Sequence, residues 1–276
     1  MNSAALRIIS QEDRELCRWA LAGMPGVVAA SEMQPRPAAA TVSTGIAALD
    51  ALTGGLPRGA LTEIFGPASS GRTSLLLAIL AQATARGEVC ALIDAGDSFD
   101  PESAQAAGVG LKRVLWVRCG KNVSRFTFHV SREEELRETR NAKRETDQGV
   151  ENALKVADFL LQAGGFGLVV IDLGGVPPNI ARRVPLTSWF RFRRAVERTP
   201  TALLVLEEEA FAKSAAGLVL KMRSAVATRR SPAKPLPCHA RLLTSTEISV
   251  EVVRAVAEKK LPARAVSFTT RAQWAG

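Results

Sequence analysis

Apolar residues recur with two alternating periods along most of the chain. Leu61-Thr62-Glu63-Ile64-Phe65 alternates apolar and polar positions, the period of a strand, whereas residues 74–85 are an almost continuous apolar run of helical length. The same change of period repeats downstream. It predicts strands over residues 89–93, 114–117, 168–171 and 202–206 and helices over 150–163 and 187–198. Strands alternating with helices build an α/β core, a mainly parallel sheet with helices on both faces. After about residue 242 the helical period stops. Two strand pieces, 248–253 and 265–269, flank Lys259-Lys260-Leu261-Pro262 and predict an antiparallel hairpin on the edge at the C-terminal end.

Ahead of this core, Ser10 with Asp13 reads as a helix cap, and Leu16, Trp19 and Ala20 give residues 11–22 one apolar face before Gly23. Residues 32–40, with Pro35 and Pro37 among alanines, read as a linker. The predicted organisation is a helix and linker over 1–40 and a core over 41–276. Inside the core, residues 121–147 read as a charged insertion in which seven lysines and arginines face six acids. Arg132-Glu133-Glu134-Glu135-Leu136-Arg137-Glu138 fits either a solvated helix laced by i,i+4 pairs or a partner-binding segment.

Composition narrows the class. With 47% hydrophobic and 23% charged residues the 276-residue chain is globular, neither disordered nor fibrous. Its formal net charge of +9 makes an acidic partner, nucleic acid first, a natural expectation, although excess charge also serves solubility alone. Cys17, Cys90, Cys119 and Cys238 have no paired spacing and only His129 and His239 to assist them, so neither zinc site nor disulfide framework is predicted. Cys90 reads as a buried reduced thiol. No signal peptide or membrane-spanning run is visible, so the cytoplasm is the expected compartment.

The chemistry concentrates in Gly66-Pro67-Ala68-Ser69-Ser70-Gly71-Arg72-Thr73, which leaves a predicted strand and runs through Ser74 into a predicted helix. The spacing is that of a P-loop. Glycines let backbone N–H groups wrap a phosphate, a lysine reaches the terminal phosphates, and a Ser or Thr hydroxyl ligates magnesium. Here Arg72 stands where lysine belongs. Its planar guanidinium keeps the charge but not the fit, so binding can survive where hydrolysis does not.

Three blocks beyond this loop carry a family resemblance. They are Ser43-Thr44-Gly45 with Leu49-Asp50 and Gly54-Gly55-Leu56-Pro57-Arg58-Gly59; Ala91-Leu92-Ile93-Asp94-Ala95 with Asp100-Pro101 and Ala107-Gly108-Val109; and the Walker B-like Leu168-Val169-Val170-Ile171-Asp172. With the P-loop they resemble the RecA recombinase family over roughly residues 41–270. The resemblance implies a RecA-like P-loop NTPase core that binds ATP and Mg2+, with Thr73 and Asp172 holding the metal and Asp100 near the base. It also implies self-association through the N-terminal helix and Trp19. Lys221 and Met222 match a subunit-contact position, and Arg254 falls near a position that reaches a neighbour's phosphate. Asp172 could instead cap nearby backbone at a strand end.

The departures from that family fall on the ATPase parts. Gly96 stands where the water-activating glutamate belongs, Ser103 where a tyrosine stacks adenine, and Glu208 where a glutamine senses the γ-phosphate. With Arg72 these make four altered positions, implying weak or absent hydrolysis; a working recombinase would need another base, such as Asp97.

Positive charge gathers after Asp172. Arg182, Arg183, Arg191, Arg193 and Arg194 come without an acid between Asn179 and Ala195, and Arg191, Arg194 and Arg198 share a helical face opposite Trp189, Phe192 and Val196. Arginines so placed can track DNA phosphates, single strands first, or simply be a solvated face. Residues 210–246 add seven basic residues and no acid. Pro185-Leu186-Thr187-Ser188-Trp189-Phe190-Arg191 with Arg198-Thr199-Pro200-Thr201 resembles the ImuA-type RecA-like proteins of damage-inducible mutagenesis cassettes. That likeness implies a non-recombinase role in SOS-linked translesion synthesis. Its implied partners are a Y-family-like polymerase homologue, a replicative-type polymerase and RecA itself.

Overall fold

The computed structural model describes residues 40–120, 132–223, 225–229, 243–255 and 265–271, with side chains in the long central helix from Asp147 onward. The predicted N-terminal helix with Trp19 and Cys17, the linker up to residue 39, residues 121–131 with His129, Cys238 and His239, and the turn at 259–262 lie outside the described residues.

In chain order the elements are β1 (Thr41–Val42), α1 (Ala47–Thr53), β2 (Leu56–Pro57), β3 (Leu61–Phe65), α2 (Arg72–Ala85), β4 (Cys90–Asp94), α3 (Pro101–Ala106), β5 (Val114–Arg118), α4 (Arg132–Ala163), β6 (Leu168–Asp172), α5 (Pro178–Ala181), α6 (Leu186–Val196), β7 (Ala202–Glu207), β8 (Leu218–Met222), β9 (Val226–Arg229), β10 (Leu243–Ala255) and β11 (Ala265–Arg271). The main sheet runs β11-β10-β8-β3-β7-β6-β4-β5, with β9 also on β10. Pairs from β8 through to β5 are parallel, and the β10 pairs are antiparallel. The predicted α/β class and the edge hairpin are both present.

Two apolar layers cover the sheet, one on each face. Because strand side chains alternate, Leu168 and Val170 point into the layer holding Leu75, Leu76, Ile79 and Leu80 of α2, while Val169 and Ile171 point into the layer holding Ala153, Ala157 and Leu161 of α4 and Trp189 and Phe192 of α6. The nearly continuous apolar strands follow from this burial on both faces.

Three predictions need correction. The helix expected from residue 150 begins at Arg132, because the charged stretch is rich in Glu and Arg, good helix formers that need no apolar stripe. Residues 218–222, read only for their charge, form a strand buried at four of five positions. The helix expected to run to residue 198 stops at Val196, and Arg198 takes a left-handed φ of 72°.

A P-loop cleft filled by its own arginine

The parallel ladder sets the carboxyl ends of β3, β7, β6 and β4 side by side, with Phe65 opposite Glu207, Leu206 opposite Asp172, and Asp172 opposite Asp94. Ligand clefts of open α/β sheets form at such an edge.

The P-loop crosses that edge. Gly66 is pressed on Met222, whose carbonyl oxygen a Cβ there would meet at 2.5 Å, and Gly71, at φ 89°, sits on Ile248. Pro67, Ala68, Ser69 and Thr73 are exposed, Ser70 is buried, and Ser74 is half-buried in the first turn of α2. The loop thus has the predicted strand before it and helix after it.

Arg72 does not lie over the loop. Its Nη2 donates to the Gly174 carbonyl at 3.3 Å and stands 3.8 Å from Glu208 Oε1. Its Nη1 is buried without a hydrogen-bond partner. Burial pulls the guanidinium pKa down, while Glu208 and Asp172 favour its charged form. Asp172 accepts from Gly174 N at 2.8 Å, the strand-end capping role left open by its sequence. Burial raises its pKa to about 6, against the opposing pull of that N–H and of Arg72. The pocket between Arg72, Thr73, Ser98, Asp172, Gly174 and Leu206 measures about 140 Å³. Whole ligand sites run from roughly 300 to 1,000 Å³. A hydrated Mg2+ needs near-octahedral oxygen ligands, and here the space beside Asp172 holds a guanidinium. These residues in this arrangement do not fit the implied Mg2+–ATP. Among the described residues no group of three or more His, Cys, Asp or Glu is placed to hold a metal.

The position of the missing base is closed as well. A Cβ on Gly96 would lie 3.3 Å from the Gly175 Cα, so two backbones touch where a glutamate would project. Its neighbour Asp97 receives Arg118 Nε and Nη2 at 2.6 Å each, and that bidentate bond holds its carboxyl below the usual range. Asp94 is fully buried and accepts from Ser98 N, Phe99 N and Trp116 Nε1. Asp100, expected near the nucleotide base, is the N-cap of α3, accepting from Glu102 N and from the N–H and hydroxyl of Ser103.

Of the expected subunit contacts, Lys221 is exposed. Met222 is fully buried beneath Gly66, which leaves it no surface for a neighbour. Arg254 donates to the Lys213 carbonyl of its own chain. Trp19 lies outside the described residues.

The arginine surface is partly spent on ion pairs. Arg182 donates to Glu209 at 2.9 Å, Arg183 to Asp147 at 3.1 Å, and Arg191 to Asp158 at 2.8 Å. Arg194 and Arg198 are exposed, with no such partner among the described residues. Trp189, Phe192 and Val196 are buried, as the helical face predicted. Phe190 and Phe159 are exposed.

Sequence reasoning missed a buried acid pair. Glu63 in β3 and Glu207 at the end of β7 are at most 1% exposed. Glu63 Oε1 accepts from Phe211 N and Ala212 N at 2.7 Å, and Glu207 Oε2 accepts from Phe211 N at 3.2 Å. Burial, then Glu63, push Glu207 well above the usual carboxylate range. The signal was an acid inside a fully buried strand, which strand alternation disguised. Cys90 is the buried free thiol expected, pushed up to about 12 by burial and then by Glu88.

Residues 23–121 match the RecA N-terminal domain family. Protein RecA of Cutibacterium acnes is 38% identical over 135 residues, 48% of this chain and 31% of that protein. Protein RecA of Deinococcus radiodurans is 38% identical over 183 residues, 60% of this chain and 43% of that protein. The chain therefore spans less than half the length of these relatives. The crystal structure of the RadB recombinase superposes with a TM-score of 0.50 at 17% identity, covering 84% of this chain and 96% of that one, a likeness of fold. No helix among the described residues is long and apolar enough to cross a membrane. The chain is thus similar to RecA proteins in sequence over residues 23–121 and beyond, and to the RadB recombinase in fold.

Proposed function

We propose that this chain is a non-recombinase accessory or scaffold protein of SOS-linked translesion synthesis, one that binds DNA and polymerase-related partners with little or no ATP hydrolysis. The observation that carries the proposal is Gly96, which offers no carboxylate to activate water at the position where the family resemblance implies one, and whose Cβ would already press on Gly175 at 3.3 Å. The divergent-recombinase alternative would use Asp97 as base, and a carboxylate held in a bidentate pair with Arg118 is a poor proton acceptor.

DNA binding is supported by Arg194 and Arg198, exposed and without an ion-pair partner among the described residues, and by Arg182, Arg183 and Arg191, whose exposed ion pairs are weak enough for phosphates to displace. Exposed Phe190 and Phe159 add surfaces on which bases of a single strand can stack. The Y-family-like polymerase homologue, the replicative-type polymerase and RecA as partners rest on the ImuA-type likeness of residues 185–191 and 198–201. Self-association and a cytoplasmic location follow from the family.

The test pairs an ATPase assay on single-stranded DNA with co-purification of a Y-family-like polymerase homologue. The expected result is capture of the homologue and no DNA-stimulated turnover, in wild type and in Arg72→Lys alike. Robust turnover abolished by Arg72→Ala, together with strand exchange, would establish the recombinase instead.

A further inference from the structure

The cleft holds two carboxylates from neighbouring strand ends, Asp172 at the end of β6 and Glu208 just after β7, with the Arg72 cation reaching between them. Arg72 is nine-tenths buried there. Its Nη2 is bonded to the Gly174 carbonyl and faces Glu208 Oε1. Its Nη1 lies on the Asp172 side. A Cβ built on Gly174 would stand 3.3 Å from that nitrogen and 2.9 Å from Asp172 Oδ1, so only glycine lets the two groups come together. A guanidinium presents donors in a fixed planar fork, suited to linking several oxygen acceptors at once, which an ammonium on a flexible stem is not. Buried carboxylates without a counter-charge are costly, and removing the cation leaves that cost uncompensated.

We propose that the Arg72 guanidinium is the resident cation of this cleft, standing permanently where a divalent metal would otherwise lie, so that the loops after β6 and β7 are joined without nucleotide or metal. The join is made at Gly174 on one loop and Glu208 on the other, and Arg182 to Glu209 at 2.9 Å links the same two segments a second time. The chain thereby carries as a covalent part of α2 the positive charge that a metal-dependent cleft must take from solution. The inference deepens the accessory reading of the cleft, yet it contains no claim about DNA or polymerase.

The test uses the full chain without nucleotide, DNA or partner, and follows the thermal unfolding midpoint as Mn2+ is added at millimolar levels. Wild type is expected to show no change with Mn2+. Arg72→Ala is expected to unfold several degrees lower and to regain part of the loss with Mn2+, since Asp172, Glu208 and Thr73 then face an open site. Glu208→Gln, a milder change, is expected to unfold lower than wild type and to ignore Mn2+. A midpoint that rises with Mn2+ in wild type overturns the proposal. So does an unchanged midpoint in Glu208→Gln, or an Arg72→Ala protein that folds but does not respond to Mn2+. If Arg72→Ala does not fold, wild type and Glu208→Gln decide alone. Failure here leaves the ATPase and co-purification results untouched, and their failure leaves this one untouched.

Discussion

Arg118 clasps Asp97 in two parallel hydrogen bonds of 2.6 Å, and Trp116 lies under the same guanidinium at 5.0 Å. The arrangement keeps Asp97 ionised. Since its folded pKa lies below the usual 3.8, the pair's contribution to stability is complete above the unfolded value and is lost as pH falls through the folded one. Asp97→Asn is expected to flatten the acid limb of the stability profile below about pH 4 while leaving neutral-pH turnover at its wild-type level. Urea unfolding across acid pH, with an ATPase assay alongside, checks both.

Glu207 has the opposite sign. Its pKa is raised far above 4.5, so the folded protein keeps a proton that the unfolded chain releases, and stability falls as pH rises above that value. Glu207→Gln carries the neutral form at every pH and preserves an acceptor for Phe211 N. It is expected to stabilise the protein at neutral pH by about 1 kcal/mol or more and to remove that decline. Denaturant titrations at acid and neutral pH measure it.

Gly71 is held between a left-handed backbone and a side chain. At φ 89°, with a Cβ only 2.5 Å from Ile248 Cδ1, Gly71→Ala is expected to cost about 2–4 kcal/mol from strain and overpacking combined. Ile248→Ala removes the obstacle, so the double variant should lose clearly less than the sum of the single losses. A double-mutant cycle in urea reads that difference.

On the arginine surface the expectation is graded. Arg194→Ala is expected to weaken single-stranded DNA binding and to lower the slope of log affinity against log salt by about 0.7, the loss of one phosphate contact. Arg191→Ala should do less, because Asp158 already opposes that charge, and Asp158→Asn should strengthen binding. Fluorescence anisotropy over a salt series resolves the three.

The strand and helix rhythm from β3 to β7 was legible because burial on both sheet faces writes itself as unbroken apolar runs. β8 was not, since Lys221 sits in a five-residue strand within a long basic stretch and drew attention to charge instead of period. The identity of Arg72 was plain from spacing. Its direction was not, because Gly174 and Glu208 are remote in sequence and meet it only through the strand order. Asp100 has a local role that its neighbours announced: Pro101 after it and Ser103 beyond it have the form of a helix start. The acid pair at Glu63 and Glu207 needed the parallel register of β3 on β7 before either residue could be seen as the other's neighbour.

The touching backbones of Gly96 and Gly175 give the chain's divergence a direction. Losing a side chain usually leaves a vacancy into which the old residue can return by one substitution. Here a Cβ at 96 would stand 3.3 Å from the Gly175 Cα, so a glutamate there requires the segment that also carries Gly174, whose carbonyl Arg72 holds, to give by a few tenths of an ångström. On the accessory reading, a glutamate at 96 alone would not restore hydrolysis, because Arg72, Ser103 and Glu208 depart from the family pattern as well. Selection on such a chain would then act through what it binds.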